Sequence, residues 1–485
     1  MYWSILKQEI MHLNLKKITA SLTALLLTIT SLWTFAGSAV KAEEFPDDPN
    51  DGIITANERK TDLLNEQLED APNVNAASYI LFDANSGTIL LGKDYDVQKE
   101  PASMTKVMTL LLAFERLSET ETVTITPEMA DAIKAIPKTY VKLGLQEGEE
   151  ISVKDLIYAA VLKSANDASL ALAMYMGGTE HDFCDIMNQK ASEIGCLHTH
   201  FSSAYGLSTP DNVTTPYDMA LILNEAVSTT KYPEIAKTLN YTINATNKYS
   251  SERELTNANR FVNTTKYGYE YYLGGKTGFT DTAGYTLCAA ARKNNRTLVG
   301  CVFNAADSDV RYADLIKLFE YGYSTFTTVE ITESEFDPLV DEAHQQINGL
   351  LKETNLYLAS QRIVLDQYIT TTSSRAQLGS TNRIDFSKAV IDTSQDRQTL
   401  EMPLCKIYSD KTYHIGTLVI EIEKKAGVVE VNPEKLTNLT NVRSILVTFA
   451  VLSGLILLLV IVLLIFRARV IKHRREEATK RANML

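Results

Sequence analysis

A chain of 485 residues has room for more than one domain, each able to bury an adequate core. With 45% hydrophobic and 22% charged residues it reads as folded protein, which excludes wholesale disorder and a polytopic membrane protein. The net charge of -13 argues against a nucleic-acid partner, whose phosphates call for concentrated positive charge.

In chain order, Lys16 and Lys17 precede an apolar stretch from Ile18 to Ala36, and Val40, Lys41 and Ala42 follow at cleavage positions. This predicts a secretory signal peptide over residues 1–42, with an uncleaved signal anchor as the alternative; Met11 offers a second start. Residues 43–75 are acidic, with Asp47, Asp48 and Asp51 around Pro49, and too poor in apolar side chains to build a core, so they read as a solvated linker.

From Ala76 the pattern changes. Tyr79–Phe82 and Thr88–Leu91 flank Asn85-Ser86-Gly87, a hairpin signature. Val107, Leu110, Leu111 and Phe114 then give a helix its apolar face, and Ser152 with Asp155 resembles the start of a second helix running through Leu162. A second hairpin joins Thr286–Arg292 to Thr297–Phe303 through an Asn294-Asn295 turn, and a helix over Ser308–Phe326 closes the region. Helices between early and late hairpins predict an α/β (α+β) domain over 76–327, with one antiparallel sheet drawn from both ends of the segment.

Short strand-like runs such as Ile363–Leu365 and Thr417–Ile420 predict a small β-sandwich over 328–431, followed by a polar link over 432–443. Ser444–Phe466 is uncharged and long enough, at about 1.5 Å per residue, to cross a hydrocarbon core about 30 Å thick. Arg467, Arg469, Lys472, Arg474 and Arg475 in the tail over 467–485 then place that side in the cytoplasm. The expectation is a single-pass protein of the cell membrane with its folded part outside.

The five cysteines, Cys184, Cys196, Cys288, Cys301 and Cys405, show no CxxC spacing, so no metal site is expected. Cys288 and Cys301 sit in apolar runs and read as core; a Cys184–Cys196 disulfide stays open.

Three patches carry chemistry. Ser103 and Lys106 are three apart at the start of a helix and share a face, the arrangement of a nucleophile and its base. By itself this pair is also what a helix cap and a solvated first-turn lysine look like. Ser164 and Asn166 present a hydroxyl and an amide two apart, where a helix-terminal turn is the plain alternative. Gly275-Lys276-Thr277-Gly278 offers a cation and a hydroxyl for a carboxylate, with glycines that admit a ligand.

In that order the three patches are the signatures of penicillin-binding proteins and serine β-lactamases. The strings PASMTKVMT, LKSANDAS and GGKTGFTDTAGYTL resemble the D-alanyl-D-alanine carboxypeptidase family in particular, over about Ala76 to Phe326. The resemblance implies acyl transfer on peptidoglycan stem peptides ending in D-Ala-D-Ala, and acylation by β-lactam antibiotics, with no cofactor. It implies Ser103 as nucleophile, Lys106 as proton acceptor and Ser164 as proton relay. Asn166 would hold the substrate amide, Lys276 and Thr277 the terminal carboxylate, and the N–H groups of Ser103 and Phe279, beside Gly278, the oxyanion.

Four features depart from the family pattern: Phe279 where a polar residue is common, Ser203 where asparagine is frequent, Glu100 in place of a proline, and a full spanning helix as anchor. A class A-like β-lactamase and a non-catalytic wall-binding scaffold are the alternative readings.

Overall fold

The computed structural model describes residues 53–424 apart from 55, 65, 67, 69, 353, 355 and 393–397. The signal peptide, the spanning helix over 444–466 and the basic tail lie outside the described residues, and among those described no helix is long and apolar enough to cross a membrane.

Five antiparallel strands form the central sheet in the order Thr88–Lys93, Ser78–Asp83, Arg296–Ala305, Gly284–Lys293 and Tyr272–Thr280. Both hairpins turn where the residues tolerate it: Gly87 takes φ +74°, and Asn294 and Asn295 take +50° and +63°. The early hairpin joins the late one directly, Leu81 opposite Gly300 and Ile80 opposite Cys301, so the two ends of the segment are zipped together.

Both faces of the sheet are covered, which is why its inner strands read as nearly continuous apolar runs. Along Arg296–Ala305, Val299, Cys301 and Phe303 enter one core with Val107, Leu111, Leu156 and Leu223 from the helices Lys106–Arg116, Val153–Leu162 and Pro216–Thr229. Leu298 and Val302 enter the other with Leu315, Leu318 and Phe319 of the helix Ser308–Thr325. This is the two-residue alternation of a strand. Gly300 brings that last helix close, because a Cβ there would stand 2.4 Å from Leu315 Cδ1. Each fully buried leucine or phenylalanine contributes about 1.5–3 kcal/mol. Several helix starts are capped by side chains, including the Ser152 predicted from spacing, whose Oγ accepts from Asp155 N at 3.0 Å; such a cap is worth about 1 kcal/mol.

Five strands beyond the helix Ser308–Thr325, together with Ile53–Ile54, make a second sheet among the described residues, around the long hairpin Gln398–Ile407 and Thr412–Lys424. The sequence reading has strands alone here. The structure adds a helix, Asp337–Leu351, whose Val340, Ala343, Ile347 and Leu351 pack in one core with Leu400, Met402, Leu418 and Ile420.

From residue 53 on, the segment predicted as a solvated linker is structured, while residues 43–52, with Asp47, Asp48 and Asp51, lie outside the described residues. Ile53–Ile54 pairs in parallel with Thr412–Tyr413, and the helix Ala56–Asp62 follows. Asp62 accepts from Lys411 at 2.7 Å, Glu66 from Arg375 at 3.0 Å, and Asp366 receives Arg59. Its acidic residues look solvated in sequence because their cations lie about 300 residues further on. Asp83, a buried carboxylate of the central sheet, joins it to the two-stranded pair Phe326–Glu330 and Tyr368–Thr372, accepting from Arg296 Nε at 2.7 Å, Thr328 Oγ1 at 2.6 Å and Thr370 Oγ1 at 3.1 Å.

All five cysteines are free and buried, so Cys184 and Cys196 form no bridge. Cys288 and Cys301 face each other across adjacent strands, as core residues.

Candidate active site

Ser103 lies in a single 3-10 turn, Ala102–Thr105, that runs into the helix Lys106–Arg116. The turn is forced: Ala102 has φ +48°, a left-handed conformation that costs a residue with a side chain about 1 kcal/mol or more. It is clamped from two sides. A Cβ on Gly206 would stand 2.0 Å from Ala102 O, and one on Gly278 would stand 2.9 Å from both Ala102 Cβ and Pro101 O. The glycine after Lys276-Thr277 therefore lets the edge strand close onto the serine's own turn.

Lys106 is fully buried. Its Nζ donates to Ser103 Oγ at 2.9 Å, Asn166 Oδ1 at 2.7 Å and Tyr205 O at 2.5 Å, which uses all three donors of an ammonium. Burial first, and then the nearby charge of Lys276, hold its pKa well below that of an ordinary lysine; Asp167 opposes them in part. The reading of Lys106 as a solvated first-turn residue does not survive this geometry.

The second patch sits between two helices. Ser164 takes φ +57° after Val153–Leu162, and the reversal lets Asn166 begin Asn166–Gly177. Asn166 turns its Oδ1 to Lys106, and both its backbone N and its Nδ2 donate to Val141 O at 2.9 Å. Next to it the buried Asp167 accepts from Leu143 N and Gly144 N at 2.8 Å and from Leu145 N at 3.1 Å. These bonds tether the segment whose Thr139, Tyr140 and Val141 form one wall of a cleft.

The opposite wall is the edge strand Tyr272–Thr280. Lys276 is buried and donates to Thr277 O at 2.9 Å; burial lowers its pKa to about 7, and Arg311 pushes the same way. Thr277, Gly278 and Phe279 line the cleft, and the Phe279 ring, 51% exposed, packs on Tyr285 with centroids 4.5 Å apart.

All three patches thus meet. Ser103, Ser164, Asn166, Thr277, Gly278 and Phe279 line one cleft of about 690 Å³, with Lys106 and Lys276 buried against them.

Two further contributors stand out, of which Arg311 has no counterpart in the sequence reading and Ser203 figures there only as a departure from the family pattern. Arg311 lines the cleft from the first turn of Ser308–Thr325, its Nη1 donating to Gly278 O at 3.0 Å and Thr286 O at 3.2 Å. A cation there opposes the helix dipole, and that is the signal that could have found it. The other is the loop around Ser203, whose Oγ accepts from Tyr205, Gly206 and Leu207 N at 3.1–3.3 Å and so aims the Tyr205 carbonyl at Lys106. A serine in place of asparagine still organises that loop. The one group of metal-type side chains among the described residues, His181, Asp182 and Asp185, is exposed and stands outside the cleft lining.

Residues 65–307 match the family described as D-alanyl-D-alanine carboxypeptidase. This chain belongs to the D-alanyl-D-alanine carboxypeptidase family. It is 30% identical over 304 residues to the D-alanyl-D-alanine carboxypeptidase DacF of Bacillus subtilis, an alignment covering 58% of this chain and 76% of that protein. With DacC of Escherichia coli the identity is 32% over 273 residues, 54% of this chain and 65% of that one, just under two thirds of the relative's length. The solved D-alanyl-D-alanine carboxypeptidase DacD of Francisella tularensis shares the fold, with a TM-score of 0.54 at 20% identity over 74% of this chain and 96% of that chain. Within the family, the chain is a serine hydrolase of the D-Ala-D-Ala carboxypeptidase type on a mixed α/β domain.

Proposed function

We propose that the chain removes the terminal D-alanine from peptidoglycan stem peptides through an acyl-enzyme on Ser103, on the outer side of the cell membrane, tethered by the apolar segment 444–466. The observation that carries this reading is the buried Nζ of Lys106 shared between Ser103 Oγ and Asn166 Oδ1.

Burial and the charge of Lys276 weaken the hold of Lys106 on its proton, and in its neutral form the amine accepts the proton of Ser103 as Oγ attacks the penultimate D-alanine carbonyl. The N–H groups of Ser103 and Phe279 receive the oxyanion, a contribution of about 2.7–4 kcal/mol per donor in acyl-transfer enzymes. Ser164 passes a proton to the leaving D-alanine nitrogen, and Asn166 holds the substrate amide. Lys276 and Thr277, helped by Arg311, bind the terminal carboxylate, and Gly278 admits it. An extended peptide has an open strand edge to lie along, because Tyr272–Thr280 is the last strand of its sheet. Water then releases the acyl group. The amide carbonyl of a β-lactam can be attacked in the same way.

The test is D-alanine release from a peptide ending in D-Ala-D-Ala, with penicillin turnover measured in parallel. Release of D-alanine and a long-lived penicillin adduct support the proposal. Rapid penicillin hydrolysis without D-alanine release would make the chain a β-lactamase, and neither activity would leave a wall-binding scaffold.

A further inference from the structure

At one end of the cleft three polar side chains form a closed triangle. Ser208 Oγ and Thr282 Oγ1 each donate to Glu100 Oε2 at 2.7 Å, and the two hydroxyls stand 2.8 Å apart. Ser208 and Thr282 line the cleft, one from the loop that follows Gly206 and the other from just past the end of the edge strand. Glu100 stands three residues before Ser103. The triangle therefore ties the loop after Gly206 and the end of the edge strand to the segment that carries the serine, and hydroxyls at 2.8 Å leave no gap for a peptide to pass between them.

Its place along the strand says which part of a substrate it meets. This step rests on the function proposed above, with the carboxylate at Thr277 and the scissile carbonyl at Phe279. A strand advances about 3.3 Å per residue, so the residues upstream of the scissile bond are carried past Thr280 towards Asp281 and Thr282. The triangle stands there. Glu100 and its two partners lie at or near solvent, where hydrogen bonds break at little cost, so the closure can open for a ligand.

We propose that Glu100, Ser208 and Thr282 form a specificity-determining end wall for the acyl donor, which favours D-Ala-D-Ala ligands with little extending upstream and has to open for longer stem peptides. Glu100 holds it, since its carboxylate oxygen is the common acceptor.

The experiment compares kcat/KM for D-alanine release from N-acetyl-D-Ala-D-Ala and from a pentapeptide ending in D-Ala-D-Ala, in wild type, Glu100→Ala and Thr282→Val, with melting temperature as a folding control. Both variants should raise the ratio of long to short substrate by about threefold to tenfold, the worth of one or two exposed hydrogen bonds. An unchanged or lowered ratio overturns the inference. Equal losses on both substrates overturn it too, because the triangle would then only support the serine's turn. Absence of D-alanine release from either substrate in wild type would sink the proposed function, and this inference with it.

Discussion

The Nζ of Lys106 lies 2.9 Å from Ser103 Oγ and 2.7 Å from Asn166 Oδ1, so one buried amine joins two patches sixty residues apart in sequence. An arginine at that position would keep a charge but could not take a proton, because a guanidinium stays protonated in proteins. Lys106→Arg should slow acylation by a labelled penicillin about 10²–10⁴-fold, the usual contribution of a positioned general base. If the second-order acylation rate keeps more than about a tenth of its wild-type value, the proton goes elsewhere.

Asp167 tests the wall opposite the edge strand. Asp167→Ala strips the acceptor from the N–H groups of Leu143, Gly144 and Leu145; of these Leu145 is buried, and a buried donor left unsatisfied costs about 1–3 kcal/mol, while the other two can reach water. Urea unfolding should show a loss of about 2 kcal/mol together with slower acylation. A loss below about 1 kcal/mol would mean that the segment carrying Val141 is held by something other than this carboxylate.

Lys276 gives stability a pH dependence whose sign is fixed. Its pKa falls from 10.5 to about 7 on folding, so between those values the unfolded chain binds a proton that the folded chain does not. Stability contributed at this position therefore rises with pH from about 7 towards 10.5 and is lowest below 7, where the folded protein carries the buried charge. Lys276→Met should be favoured over wild type in thermal melts at pH 6, and the advantage should shrink by pH 10. An advantage that is flat across that range would show that Lys276 keeps its solution pKa. Binding runs the other way: KM for a carboxylate-ended peptide should rise above about pH 7 as the ammonium is lost.

Arg375 tests the attachment of the acidic segment. It donates to Asp410 at 2.8 and 2.9 Å, to Glu66 at 3.0 Å and to Thr371 Oγ1 at 3.1 Å. Asp410 is half exposed and can rehydrate, so Arg375→Ala should cost about 2 kcal/mol, below the 3–5 kcal/mol of a fully buried pair. Penicillin labelling should persist at 25 °C, because Ser103 belongs to the other sheet's surroundings. Loss of labelling in a variant that stays folded would tie the two regions functionally.

Much of the site was legible because its chemistry is local in sequence. Ser103 with Lys106, and Ser164 with Asn166, are set by helix starts, and short-range spacing reports helix starts well. The hairpins were legible through Gly87, Asn294 and Asn295, whose backbone angles are what those turns demand. What escaped is what depends on distant partners. Arg311 reaches the cleft only because Ser308–Thr325 packs across the sheet, and Glu66 finds Arg375 only in the fold. The helix Asp337–Leu351 did carry a helical pattern in Val340, Ala343, Ile347 and Leu351, hidden among short strand-like runs that set the texture of the region. The Cys184–Cys196 question had no local answer, and burial of both as free thiols resolves it.

The proposed mechanism stands or falls with acylation of Ser103 Oγ. The direct measurement is mass spectrometry of the protein after incubation with benzylpenicillin, followed by peptide mapping of the adduct. A single covalent adduct is expected on the peptide that contains Ser103, absent from Ser103→Ala. An adduct on another residue, or one that forms equally well in Ser103→Ala, would contradict it.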